Sequence, residues 1–210
     1  MSHYYDNDPN VKSERKPFDY RYRDIKLSLQ TDHGVFSKGK IDFGSDLLIT
    51  TFLNFNPPGP KKKILDVGCG YGPIGLTCAK VLPHSEVTMV DVNERALELA
   101  KDNRNSNQIN NAEIQQSDCI DGVLDLQFDF VLTNPPIRAG KNVVHRIFEQ
   151  SDQVLTHGGE LWVVIQKKQG MPSAKEKMQN IFGNAEIIEK SKGYYILKSV
   201  KAWFCYFVLI

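Results

Sequence analysis

The stretch "ILDVGCGYGPIG", Ile64 to Gly75, decides the fold: Ile64, Leu65 and Val67 lead into glycines at 68, 70, 72 and 75, and a helical pattern begins at once. A buried strand that turns on glycines into a helix is half of a βαβ unit. Glycine lets the backbone turn tightly and approach a ligand closely, and the helix N-terminus behind it offers free N–H groups. Gly70, Gly72 and Gly75 satisfy the G-x-G-x-x-G spacing of dinucleotide sites, with Asp91 about twenty residues on. An NAD-dependent oxidoreductase is therefore one reading.

The acidic residues around the loop favour another. Asp66 stands two residues before Gly68, where a carboxylate would repel a pyrophosphate but suits a cationic or amino-acid-bearing ligand. Asp91 ends the next strand, where it can accept from both hydroxyls of a ribose. Asp118 ends the one after, within reach of an adenine amine. A nucleoside joined to an amino acid describes S-adenosylmethionine better than NAD. Any one of these aspartates reads equally well as a helix cap, but three at successive strand ends match the edge at which open α/β sheets bind ligands.

Outward from the loop the pattern is regular. Strands are predicted at "KILDVG", "EVTMVDV", "AEIQQS", "FDFVLT" and "GELWVVIQ", and helices at about 74–82, 94–107, 143–155 and 174–182. Strands alternating with helices imply a doubly wound, mostly parallel sheet, and alternating runs around Lys192-Gly193 add an antiparallel C-terminal hairpin. Residues 59–210 form this domain. Residues 1–58 form a short N-terminal appendage or lid, in which residues 1–20 read as loose, 21–32 as one half-exposed strand, and 45–55 as a helix. The apolar run "AWFCYFVLI" at the C-terminus reads as a final strand or an adhesive edge.

A length of 210 residues accommodates one well-buried α/β domain. Hydrophobic content of 41% and charged content of 24% exclude disordered and collagen-like classes, and a net charge of +1 excludes a strongly basic coat for nucleic acid. Cys69, Cys78, Cys119 and Cys205 form no C-x-x-C pair, which argues against a zinc site, so no metal is expected. With a polar N-terminus and no apolar run of membrane-spanning length, a cytoplasmic location is expected.

The stretch "FDFVLTNPPIRAGK", Phe128 to Lys141, ends a strand on two residues that lack backbone N–H groups. Such a corner is often only a turn. It is also a jig of acceptors: the Asn134 side-chain oxygen and the Pro135 carbonyl can converge on an exocyclic amine.

Taken together, "DVGCGYGPIG", "DVN", "SDC" and "NPPI" resemble the ordered motifs of class I S-adenosylmethionine-dependent methyltransferases, with their Rossmann-like seven-stranded sheet. "GVFSKGKIDFGSDLLI" and "NPPIRAGK" are similar to the RsmC-type ribosomal RNA guanine-N2 methyltransferases. The resemblance covers roughly residues 30–200. It implies a catalytic corner of Asn134, Pro135, Pro136 and Ile137, and a cofactor site of Asp66, Gly68, Gly70, Gly72, Asp91, Asn93, Asp118, Cys119 and Asn134. It implies substrate contacts from Phe36, Lys40, Asp42, Arg138 and Lys141, with a ribosomal RNA or small-subunit partner and a monomer or homodimer.

Ile137 departs from the aromatic residue of many relatives, so it covers a base face by apolar contact rather than by ring stacking. Phe36 or Phe43 is expected to supply an aromatic surface in the lid. Lys12, Arg15, Lys16, Arg21, Arg23 and Lys26, interleaved with Tyr20 and Tyr22, read either as an RNA-facing patch or as a solvated face, and His145 reads as structural. The resembling two-domain enzymes are longer than this chain, so recognition falls to the appendage or to a partner copy. Two further readings stay open: methylation of a protein glutamine, whose amide nitrogen poses the same chemical problem, and a nucleoside- or RNA-binding module without turnover.

Overall fold

The computed structural model describes residues 14–32 and 39–202. Strands β3 (Lys63–Val67), β4 (Glu86–Asp91), β5 (Ala112–Gln116), β6 (Phe128–Thr133) and β7 (Leu155–Gln166) lie parallel, and β8 (Glu186–Ser191) and β9 (Tyr194–Val200) join antiparallel. The order across this seven-stranded sheet is β5-β4-β3-β6-β7-β9-β8. The chain steps outward from β3 to β5 and then returns to the other side at β6. β3 and β6 therefore flank the switch point, the place where open α/β sheets bind ligands.

Alternation along each strand supplies two core faces. Ile64, Leu132, Trp162, Val164 and Ile196 pack with helices α1 (Phe43–Phe55), α2 (Pro73–Val81) and α3 (Glu94–Ser106). Leu65, Val131, Val163, Ile165 and Leu197 pack with α4 (Lys141–Val154) and α5 (Met171–Phe182) on the opposite face. A strand buried on both faces cannot alternate apolar with polar, which is why these strands read as continuous apolar runs. Lys192 and Gly193 both take positive φ, 47° and 82°, as a tight two-residue hairpin turn requires.

The N-terminal region departs from expectation. In place of one strand over 21–32, β1 (Lys16–Tyr22) and β2 (Ile25–Thr31) form an antiparallel hairpin turning at Arg23-Asp24, so residues 16–20 are not loose. Phe18, Tyr20 and Tyr22 alternate with charged residues and face inward, a pattern masked by Pro17 and the surrounding charge. Leu27, Leu29, Leu48, Ile49 and Phe52 share one hydrophobic cluster with the sheet. α1 begins at Phe43, two residues before the expected start, and α4 at Lys141 rather than 143. Phe36 and the C-terminal apolar run from Trp203 onward lie outside the described residues.

Candidate active site

The glycine loop is built by β3 and β4 together. Gly68 and Cys69 donate from their backbone N–H groups to the Val90 carbonyl at 2.9 and 3.0 Å, and the Gly70 N–H donates to Asp91 Oδ2 at 2.8 Å. Gly72, at φ 95°, opens α2; a Cβ there would lie 2.7 Å from Leu76 Cδ1. Among the described residues, a Cβ on Gly68 would meet only Pro136 Cδ, at 4.0 Å. The loop and the Asn-Pro-Pro corner thus face each other across a gap that a side chain at position 68 would begin to fill. The buried Thr133 hydroxyl secures this approach by donating to the Val67 carbonyl at 2.9 Å.

Asp66 is fully buried behind the loop. Its Oδ2 accepts from the Gly75 N–H at 2.8 Å, while its Oδ1 has no partner among the described residues. Burial pushes its pKa up to about 7; the Gly75 bond opposes the shift and the charge of Asp91 adds to it. A buried carboxylate oxygen without a donor, beside a glycine cradle, fits a ligand bearing a cationic amino-acid end. Asp91 is 3% exposed and accepts from the Asn93 N–H at 2.9 Å as well as from Gly70. Both of its oxygens are acceptors, the chemistry a ribose hydroxyl donor requires. Asn93 caps α3, its side chain accepting from the Ala96 N–H at 3.1 Å.

Asp118 and Cys119 follow β5. The Asp118 carboxylate is exposed and accepts from Arg146 Nη1 at 2.8 Å, and Arg146 also bonds Asp121. Cys119 takes φ 53° and is buried; burial first, then the Asp118 charge, pushes its thiol up to about 11. The thiol therefore stays protonated near neutral pH.

At the corner, Asn134 Nδ2 donates to Ser45 Oγ at 3.0 Å and to Asp42 Oδ1 at 3.2 Å. A carboxylate only accepts, so this contact fixes which end of the amide faces α1 and leaves Oδ1 as the end available to a ligand. Asp42 Oδ1 also accepts from the Gly44 and Ser45 N–H groups at 3.0 and 3.1 Å. Asp42, expected at the substrate, is the N-cap of α1 and accepts a hydrogen bond from Asn134. The Pro136 carbonyl accepts from Ala139 N–H at 2.9 Å, whereas no hydrogen-bond donor among the described residues reaches the Pro135 carbonyl. Ile137 is half-buried against the α4–α5 core, and Arg138, Lys141 and Lys40 are exposed.

Sequence reasoning missed Ser45 and Tyr194. Tyr194 lies against the first turn of α1, where a Cβ on Gly44 would come within 2.9 Å of its ring. Its ring is 5.4 Å from that of Phe43, over which Lys192 Nζ sits at 4.7 Å. The adjacency of Asp42 to an apolar helical run was the available signal for the cap. The hairpin cations are answered locally: Arg15 pairs with Asp102, Lys16 with Glu14 and Lys26 with Asp19. Lys12 lies outside the described residues. His145 stacks near Phe148, and burial followed by the Lys141 and Lys177 charges lowers its pKa. Among the described residues no helix is long and apolar enough to cross a membrane.

Residues 26–198 match the Methyltransferase small domain family. The chain is 50% identical over 200 residues to the uncharacterized protein YbxB of Bacillus subtilis, covering 95% of this chain and 98% of that one. It is 30% identical to a ribosomal RNA large subunit methyltransferase G of Streptomyces avermitilis, covering 92% of this chain and 52% of the relative. It is 31% identical to a ribosomal RNA small subunit methyltransferase C of Haemophilus influenzae, covering 83% and 51%. The chain thus spans about half the length of these two named enzymes. Among solved structures, the T. thermophilus 16S rRNA N2 methyltransferase RsmC in complex with AdoMet and guanosine superposes with a TM-score of 0.81 at 24% identity, over 92% of this chain and 51% of that one. The order of glycine loop, strand-end acids and Asn-Pro-Pro corner accords with that match, and the chain belongs to the methyltransferase small domain family of class I S-adenosylmethionine-dependent methyltransferases.

Proposed function

We propose that the chain transfers a methyl group from S-adenosylmethionine to the exocyclic N2 amine of a guanine in small-subunit ribosomal RNA. The observation that carries this reading is the corner itself: Asn134 has its amide nitrogen tied to α1, and the neighbouring Pro135 carbonyl has no donor among the described residues. An exocyclic amine is a poor nucleophile because its lone pair is delocalised into the ring. Two fixed acceptors hold its hydrogens, aim the lone pair and favour the positive charge that develops on nitrogen.

When bound, S-adenosylmethionine supplies an electrophilic methyl group on a good leaving group, so the corner needs no strong base. Asp66 would hold the cationic amino-acid end, Asp91 would accept from the ribose hydroxyls, and the backbone at Gly68, Gly70 and Gly72 would admit the ligand closely. Asp118 and Cys119 would hold the adenine end. Ile137 covers the target base by apolar contact, with Lys40, Arg138 and Lys141 placed to meet its backbone. The names of the Haemophilus and T. thermophilus enzymes support the small subunit as partner. A guanine in the large subunit is the second reading, favoured by the Streptomyces relative.

The test is transfer of radiolabelled methyl from S-adenosylmethionine to small subunits, large subunits and naked ribosomal RNA from cells lacking the protein. Label in small-subunit RNA, released as N2-methylguanosine on digestion, is the expected result. Label confined to large-subunit RNA selects the second reading, and label in neither rejects both.

A further inference from the structure

Beside the corner lies a cavity of about 190 Å³ that the reaction leaves unassigned. Its walls are Ile137, Val144, Ile165 and Ala174, with Gln169 and Ser173 supplying polar groups. Neither Asn134 nor Pro135 lines it, nor does any residue of the glycine loop, so an occupant of this space is not the methyl acceptor. Ile137 immediately follows the corner and forms one wall.

Cations predominate around this cavity. The stretches 137–145, 165–175 and 191–195 carry Arg138, Lys141, Lys167, Lys168, Lys175 and Lys192, while the nearby acids are Glu149, which pairs with Lys177, and Glu176 and Glu189 just outside these stretches. The three stretches meet in space. Residues of the first two line the cavity, Gln166 pairs with Tyr194, and the Lys167 N–H donates to the Gly193 carbonyl at 2.9 Å. Arg138, Lys141, Lys167, Lys168 and Lys192 are exposed. An apolar slot with a few hydrogen-bonding groups, bordered by more cations than acids, complements an unpaired nucleobase attached to a phosphate backbone.

We infer that this edge carries the RNA strand past the corner, and that the cavity between α4 and α5 takes one unpaired nucleobase beside the methyl acceptor. The inference rests on the proposed RNA substrate. It assigns recognition to the strand ends of the sheet rather than to the N-terminal hairpin.

The test is binding of a labelled single-stranded RNA containing one guanine, measured by fluorescence anisotropy across a salt series. Lys167→Glu with Lys168→Glu is expected to weaken binding at least tenfold and to flatten the log–log salt dependence by about two phosphates' worth. Ser173→Trp, which fills the cavity, is expected to weaken binding about tenfold with the salt slope unchanged, since a base contact releases no counterions. Lys63→Glu with Lys101→Glu makes the same charge change away from this edge and should leave binding within about twofold. Affinity for S-adenosylmethionine and the melting temperature of each variant verify an intact fold. Equal weakening by both charge-reversed pairs, or none by the Lys167/Lys168 pair, or unchanged binding in Ser173→Trp, overturns the inference. Methyl transfer to RNA that survives intact in the Lys167/Lys168 and Ser173 variants removes this surface while leaving the proposed activity standing.

Discussion

Asn134 and Asp42 are 92 residues apart in the chain and share a hydrogen bond, and the orientation of one amide depends on it. With its nitrogen engaged, Asn134 presents its oxygen to a ligand, and the proposed reaction acts through that atom. Asn134→Ala is expected to keep cofactor affinity within a few-fold and to lower turnover by about 10²-fold or more, read by single-turnover methyl transfer. Asp66 makes a second prediction. Its folded pKa of about 7 lies above the ordinary 3.8, so across that interval the folded chain holds a proton that the unfolded chain has released. Its stabilisation of the free protein is complete below about pH 4 and is lost as pH rises through 7. A cationic ligand end favours the ionised carboxylate, so cofactor affinity should rise over the same range. Thermal scans and titrations between pH 5 and 8 read both trends, and Asp66→Asn should flatten both. Asp66, Asp91 and the glycines were legible in the sequence because each sits at a strand end beside its own motif. The Asp42–Asn134 contact was not, because no local pattern reports a partner 92 residues away.

At the scale of elements, β2 is fastened to α3 by two asparagines one helical turn apart. Asn103 accepts from the Gln30 N–H at 2.7 Å and returns a bond to its carbonyl at 3.0 Å; Asn107 does the same with Ser28, at 2.8 Å each way. Each amide side chain imitates the peptide of a neighbouring strand and so satisfies a sheet edge that would otherwise need another strand. Asn103→Ala strands several of these groups at a site 1% exposed and should cost about 3 kcal/mol, read from the denaturant midpoint. α1 is coupled to the corner in a similar way. Asp42→Ala should lower stability by about 1 kcal/mol through the lost cap and also reduce turnover. Asp42→Asn should recover the stability but not the turnover, since an amide no longer dictates which end of Asn134 faces it. The helices and parallel strands were readable from apolar periodicity. The hairpin was not, because Arg23-Asp24 lacks the usual glycine or asparagine of a turn.

Across the whole molecule, the strand-end edge of the sheet divides by charge. Asp66, Asp91 and Asp118 lie at the ends of β3, β4 and β5, and the cations of the α4–α5 side lie beyond β6. A cationic ligand and a polyanionic one can thus approach neighbouring regions without competing, although the net charge of +1 conceals the division. The chain's composition reports only the sum, and the division emerges once the strand order is known. A contact joins the N-terminal hairpin to the acidic region: Asn103 Nδ2 donates to the Tyr71 carbonyl in the glycine loop at 2.9 Å as well as to Gln30. Linkage then makes the hairpin a remote gauge of the loop. Adding S-adenosylmethionine should slow amide hydrogen exchange at Gln30 and Ser28, and Asn103→Ala should abolish that protection; exchange that is indifferent to ligand in the unaltered chain would refute the coupling. By reciprocity, whatever loosens the hairpin also weakens the hold on the cofactor by the same factor.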